Sequence, residues 1–61
     1  MRDIDKLLYI LDTLHIKYAD YYRPNGSADI QICDSDSRVL GVVWFDADGN
    51  FKFCDNYNWQ V

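Results

Sequence analysis

Residues 45–51 read FDADGNF, which sets three oxygen-bearing side chains, Asp46, Asp48 and Asn50, at every second position. That spacing serves either a divalent cation or a chain reversal. A calcium loop of the EF-hand type needs a glycine at its sixth position and a bidentate Glu at its twelfth. Counted from Asp46, those positions hold Phe51 and Tyr57, and all ten acidic residues of the chain are Asp. A hairpin suits the stretch better. Asp in the first turn position, Ala47 and Asp48 in the middle and Gly49 fourth spell a type I turn closed by a left-handed glycine. The apolar runs VVWF and FKF on either side supply the strands to be joined. No metal site and no cofactor are expected.

Working outward, Ile4, Leu7, Leu8, Leu11 and Leu14 recur at three- and four-residue steps, the period of a helix with one buried stripe. Asp3 is placed to cap it, and Asp3 and Asp5 set negative charge at the positive end of the helix dipole. His15, followed by apolar Ile16, suits a residue that closes the helix in a left-handed conformation. Residues 16–22, IKYADYY, read as a strand, with continuation of the helix through Tyr18 as the alternative. RPNGS is a turn, ADIQIC at 28–33 an alternating strand, and RVLGVVWF at 38–45 a central strand; NFKFC closes the meander. Residues 55–61 either prolong that last strand or hang from it. The fold class is therefore α+β: one domain over 1–61, an N-terminal amphipathic helix packed on a three- to four-stranded antiparallel β-meander.

The turns also predict a register. A loop of Ala47, Asp48 and Gly49 pairs Phe45 with Phe51 and Val43 with Phe53, and a four-residue loop at Asp34 to Ser37 pairs Val39 with Ile32. The face toward the helix then carries Ile30, Ile32, Val39, Gly41, Val43, Phe45, Phe51 and Phe53, with Gly41 letting the helix approach closely. The opposite face carries Asp29, Gln31, Cys33, Lys52 and Cys54, but also the line Leu40, Val42 and Trp44. An apolar line of that kind calls for cover by residues Tyr57, Trp59 and Val61, by a second copy, or by a partner.

Composition narrows the chemistry. A chain of 61 residues buries only about 60% of its unfolded surface, so its core is thin. The net charge of −4 repels phosphate backbones and favours basic partners over direct nucleic-acid contact. No run reaches the length of a membrane span, no secretory signal opens the chain, and NGS at 25–27 reads as a turn; a cytoplasmic location follows as the expectation. Cys33 and Cys54 fall on strands two apart, too distant to bond, and a zinc site from His15, Cys33 and Asp55 would lack a closed ligand set. His15 is the one histidine, with no recognisable nucleophile to serve, so neither an enzyme nor a small-molecule substrate is expected.

A frame that begins at Met, holds one minimal acidic domain and lacks a catalytic set reads as a complete binding protein. In size, acidity and that lack, the chain resembles the small proteins by which phages and other mobile elements block host defence, including the anti-CRISPR class and DNA mimics. The resemblance is one of overall character. It implies an inhibitor whose target is a basic, nucleic-acid-binding protein. The alternative is a self-associating structural or regulatory domain, a small antitoxin-like dimer. The expected contact residues are Leu40, Val42 and Trp44, together with Asp3, Asp5, Asp46 and Asp48. A short connection at His15 brings those four carboxylates to one end of the domain.

Overall fold

Three hairpin loops of one design set the topology. In each, the first residue's N–H donates to the carbonyl of the fifth, and the fourth residue's N–H returns to the carbonyl of the first: Arg23 to Ser27, Asp34 to Arg38 and Asp46 to Asn50, with every bond between 2.9 and 3.0 Å. The fourth position has positive φ in all three, 93° at Gly26, 67° at Ser37 and 84° at Gly49. This is the three-residue loop of a type I turn plus a left-handed residue. It confirms the reading of DADGN and corrects that of DSDS, where the loop is three residues rather than four.

The computed structural model describes residues 1–56. Helix α1 (Asp3–Thr13) is followed by strands β1 (Tyr18–Tyr22), β2 (Ala28–Cys33), β3 (Val39–Phe45) and β4 (Phe51–Asn56), which form one antiparallel sheet in the order β1-β2-β3-β4. The α+β reading holds, with four strands, and residues 16–22 contribute a strand rather than a helical extension. The expected cover from Tyr57, Trp59 and Val61 lies outside the described residues.

Both ends of α1 are tied down by backbone. At its C-terminus Ile16 N–H donates to Leu11 O at 2.8 Å and His15 N–H to Asp12 O at 3.2 Å, while His15 takes φ 58°. This is the paired closure by which a left-handed residue satisfies the last helical carbonyls. Ile16 then packs against the core cluster to which Leu11 belongs, as the hydrophobic residue after such an end commonly does. The N-terminus departs from expectation. Arg2 is the cap residue and offers no side-chain bond, while Asp3 lies inside the helix and accepts the Phe51 N–H at 2.8 Å. Ile4 N–H donates to Gly49 O at 3.0 Å, so the first turn of the helix rests on the Asp46–Asn50 hairpin.

The core comprises Ile4 and Leu11 from the helix and Ala28, Ile30 and Phe45 from the sheet, with Leu7, Leu8, Ile16, Tyr18, Ile32 and Val43 packed around them. Two bulges change the expected faces. Ile32 pairs with Gly41 but Cys33 with Val39, which leaves Leu40 as an extra residue and turns Val39 opposite Cys33 instead of Ile32. Phe45 pairs with Phe51, as expected, but Trp44 pairs with Phe53 and Val43 with Cys54. Lys52 is the extra residue there. Phe53 therefore leaves the helix side for the outer face, and Cys54 takes the opposite course. Gly41 also has another use: a Cβ there would lie 3.0 Å from Asp55 O, so it makes room for β4 and not for the helix.

Positive φ gives these positions opposite responses to substitution. Gly49→Ala meets a strained backbone and would bring its Cβ to 2.7 Å from Arg2 Cδ and 3.0 Å from Arg2 Cβ; the left-handed conformation alone costs about 1–2 kcal/mol for a non-glycine residue. His15→Gly relieves the same cost and adds unfolded-chain entropy, for a net gain of about 0.5 kcal/mol. Urea denaturation should therefore move the midpoint down for Gly49→Ala and up for His15→Gly.

Candidate functional site

The face of the sheet away from α1 is built from rows of directly opposed residues. One row runs Tyr21, Asp29, Trp44, Phe53, and the next Ala19, Gln31, Val42, Asp55. Trp44 and Phe53 stack, with ring centroids 4.6 Å apart and planes inclined by 22°. An offset aromatic pair of this kind contributes about 0.5–1.5 kcal/mol beyond the area it buries. Phe53 remains 48% exposed, and Leu40, in the first bulge, 44%.

Of the expected line of Leu40, Val42 and Trp44, the pairing places Val42 and Trp44 on this face, while Leu40, the extra residue of the first bulge, lines a groove with His15, Ile16 and Ile32. Leu40 is exposed and Trp44 half-buried against Phe53, whereas Val42 is only 2% exposed. Sequence reasoning missed Phe53 as the second aromatic of the face, because the bulge at Lys52 that carries it across has no signature of its own. Asp29 on this face is not a solvated carboxylate. It is buried and accepts a 2.7 Å bond from Arg23 Nη2, which keeps a charge paired where water is largely excluded.

The four carboxylates expected at one end do converge around the helix N-terminus and the Asp46–Asn50 hairpin, with cations among them. Arg2 Nε lies 3.0 Å from Asp5 Oδ2 and Lys6 Nζ 3.8 Å from Asp3 Oδ1. Asp46 Oδ1 accepts the backbone N–H groups of Asp48 and Asn50, each at 2.9 Å. The carboxyl of Asp46 is held below its ordinary value first by the Asn50 amide, with Asp48's amide and nearby Lys52 adding to it. That of Asp5 is lowered chiefly by its bond from Arg2. The cluster exists, but much of its charge is already spent on the fold.

At the other end, His15, Ile16, Ile32, Cys33, Asp34 and Leu40 line an open groove of about 630 Å³. Asp34 repeats the role of Asp46: its Oδ1 accepts the amides of Asp36 and Arg38, and the Arg38 amide is the main cause of its lowered pKa. Cys33 and Cys54 are both free thiols, the first buried and the second exposed. Asp55, which would have joined His15 and Cys33 in a zinc site, sits on β4 opposite Val42. Among the described residues no group of three His, Cys, Asp or Glu side chains is placed to hold a metal ion, and no helix is long and apolar enough to cross a membrane.

Comparison with protein-family models, with curated proteins and with solved structures finds no match for the chain.

Two measurements follow from the turn chemistry. Asp46 Oδ1 is committed to its own backbone, so calorimetric titration with calcium or magnesium should give no saturable heat; one-to-one binding in the micromolar range would contradict that assignment. The carboxyls of Asp5, Asp34 and Asp46 are depressed in the fold. Their stabilisation is complete above the unfolded carboxyl value of about 3.9 and lost as pH falls through the folded values. Tyr18 and Tyr22 are raised, Tyr18 chiefly by donating to Asp12 and Tyr22, though 60% exposed as a residue, chiefly by partial desolvation of its hydroxyl, with Asp20 adding to it. Their contribution is complete below the ordinary phenol value of about 10 and lost as pH rises through the folded values. Thermal midpoints should form a plateau between these limits and fall on both sides.

Proposed function

We propose that the chain is a non-catalytic binding protein of the cytoplasm, which engages a basic protein partner through the sheet face away from α1 and thereby inhibits or sequesters it. The observation that carries this reading is the Trp44–Phe53 stack, an aromatic pair held on a helix-free face with Phe53 half in solvent. Asp55 lies on the same face, one pairing step from Phe53, directly across from Val42. An aromatic surface beside a carboxylate is what a guanidinium binds best, stacking on the ring while its edge meets the acid. Interface hot spots favour this combination of a Trp anchor and an opposing Arg.

A partner rich in exposed arginine is typically one that binds nucleic acid, and the net charge of −4 favours approach to such a surface. An inhibitor of the kind by which mobile elements block host defence fits these properties. Asp48, whose carboxylate is not drawn into the hairpin as that of Asp46 is, adds to the attraction at the end of the domain.

Capture from the cell of origin by the parent chain, with Phe53→Ala and Trp44→Ala chains alongside, tests the proposal. Retained proteins should be basic. Either substitution should weaken retention by about 2 kcal/mol, with association slowing steeply as salt rises. A captured partner held equally well by both folded variants, or held without regard to salt, would remove this face from the function.

A further inference from the structure

The hydrogen bonds at either end of β1 fix which way its backbone groups point. Arg23 N–H donates to Ser27 O and Cys33 N–H to Lys17 O, each at 2.9 Å. Bonded and non-bonded pairs alternate along an antiparallel ladder. Between those two bonded pairs, Ala19 and Tyr21 therefore direct their N–H and C=O groups to β2, opposite Gln31 and Asp29. Tyr18, Asp20 and Tyr22 turn theirs to the open edge, since β1 has a neighbouring strand on one side only.

The same three residues stand on the helix side of the sheet, opposite Ile32, Ile30 and Ala28. Asp20 and Tyr22 are exposed there. Tyr18 Oη donates to Asp12 Oδ1, on the adjoining flank of α1, at 3.0 Å. The Asp20 carboxylate faces both phenols, adding to the rise of Tyr18 after the bond to Asp12 and to that of Tyr22 after desolvation. Arg2, the cation that faces Tyr22, is held by Asp5 at 3.0 Å. Among the described residues the other ion pairs take Lys6 to Asp3, Arg23 to Asp29 and Arg38 to Asp34 and Asp36, and none takes up Asp12 or Asp20. Open backbone groups, two aromatic rings and an unanswered negative charge thus coincide on one strand.

We propose that the β1 edge receives an extended segment of a protein partner as a further antiparallel strand, with an arginine opposite Asp20 and an apolar residue on either side of it. In that pairing Asp20 exchanges both backbone bonds with the arginine. Residues directly opposed share a face, so the guanidinium lies on the helix side with the carboxylate. Tyr18 and Tyr22 are its diagonal neighbours, within reach of a long side chain, and a guanidinium both forks onto a carboxylate and stacks on a ring. The apolar neighbours fall on the far face, against Ala19 and Tyr21. A charge on an edge strand refuses strands that do not answer it. A second copy gives no answer: the antiparallel register that uses the whole of YADYY sets Asp20 against Asp20, and like charges directly opposite are destabilising. This pairing goes beyond the contact proposed above and does not depend on it, since β1 and β4 are opposite edges of the sheet and the Trp44–Phe53 stack takes no part.

A blocked pentapeptide, Thr-Val-Arg-Val-Thr, titrated into the isotopically labelled full chain provides the test. The amide resonances of Tyr18, Asp20 and Tyr22 should shift, with half-saturation below about 1 mM. Glutamate in place of the arginine should weaken binding about tenfold or more, and Asp20→Arg should reverse that preference, a result that also shows the variant to be folded. Methylating the arginine's own amide nitrogen, which faces β1, should abolish binding, whereas methylating that of the valine after it, which faces away, should change it by less than about threefold. Absence of saturation at about 5 mM peptide would overturn the proposal. So would equal binding of the arginine and glutamate peptides, or equal effects of the two methylations. A parent chain that is dimeric in sedimentation, with its Asp20 amide protected from exchange before peptide is added, would assign the edge to a second copy and overturn it as well.

Discussion

One extra residue decides which side of the sheet does the work. Lys52 has no partner of its own in the pairing of β3 with β4, so the register that sets Phe51 opposite Phe45 sets Phe53 opposite Trp44 and Cys54 opposite Val43. Side chains alternate along a strand, and a single insertion therefore exchanges the faces of everything that follows it. Without it Phe53 would face the helix layer, and Trp44 would stand on the far face without its stacking partner. With it, an aromatic pair is displayed where no helix covers the sheet, while Asp55 is brought to the same face.

The other constraint is where α1 is fastened. Its N-terminus is bound to the Asp46–Asn50 hairpin through Ile4 N–H and the Asp3 carboxylate, and its later turns lean toward β1, where Tyr18 Oη donates to Asp12 Oδ1 at 3.0 Å. The buried core accordingly draws on β2 and β3 and on the helix, with Tyr18 of β1 packed beside it and no residue of β4. One helix covers only part of a four-stranded sheet. The last strand is left open on both faces, with Phe51 52% exposed on the helix side and Phe53 48% exposed on the other. That distribution follows from the small size of the domain as much as from any single residue.

Most of this was legible in the sequence where a local rule acts alone. The leucine stripe gave the helix, His15 before Ile16 gave its left-handed end, and DADGN gave its turn, because each depends on residues within one turn of chain. The readings that failed depend on tertiary partners. Asp3 looked like a cap, but an amide of β4 reaches it first. Gly41 looked like a seat for the helix, but a carbonyl of the next strand comes closest. The bulges at Leu40 and Lys52 carry neither glycine nor proline, so nothing in the spacing of LGV or FKF announces them. Gathering Asp3, Asp5, Asp46 and Asp48 at one end was foreseeable from the connection at His15; the pairing of Arg2 with Asp5 and Lys6 with Asp3 depends on side-chain conformations that spacing does not reveal.

The most direct test of the central claim, that the insertion at Lys52 carries Phe53 to the face away from the helix, is a nuclear Overhauser spectrum of the intact chain with its aromatic side chains assigned. With the ring centroids of Trp44 and Phe53 4.6 Å apart, strong cross-peaks should join their ring protons. Cross-peaks from the Phe53 ring to Val43 and the leucines of α1, with none to Trp44, would place Phe53 on the helix side and contradict the account.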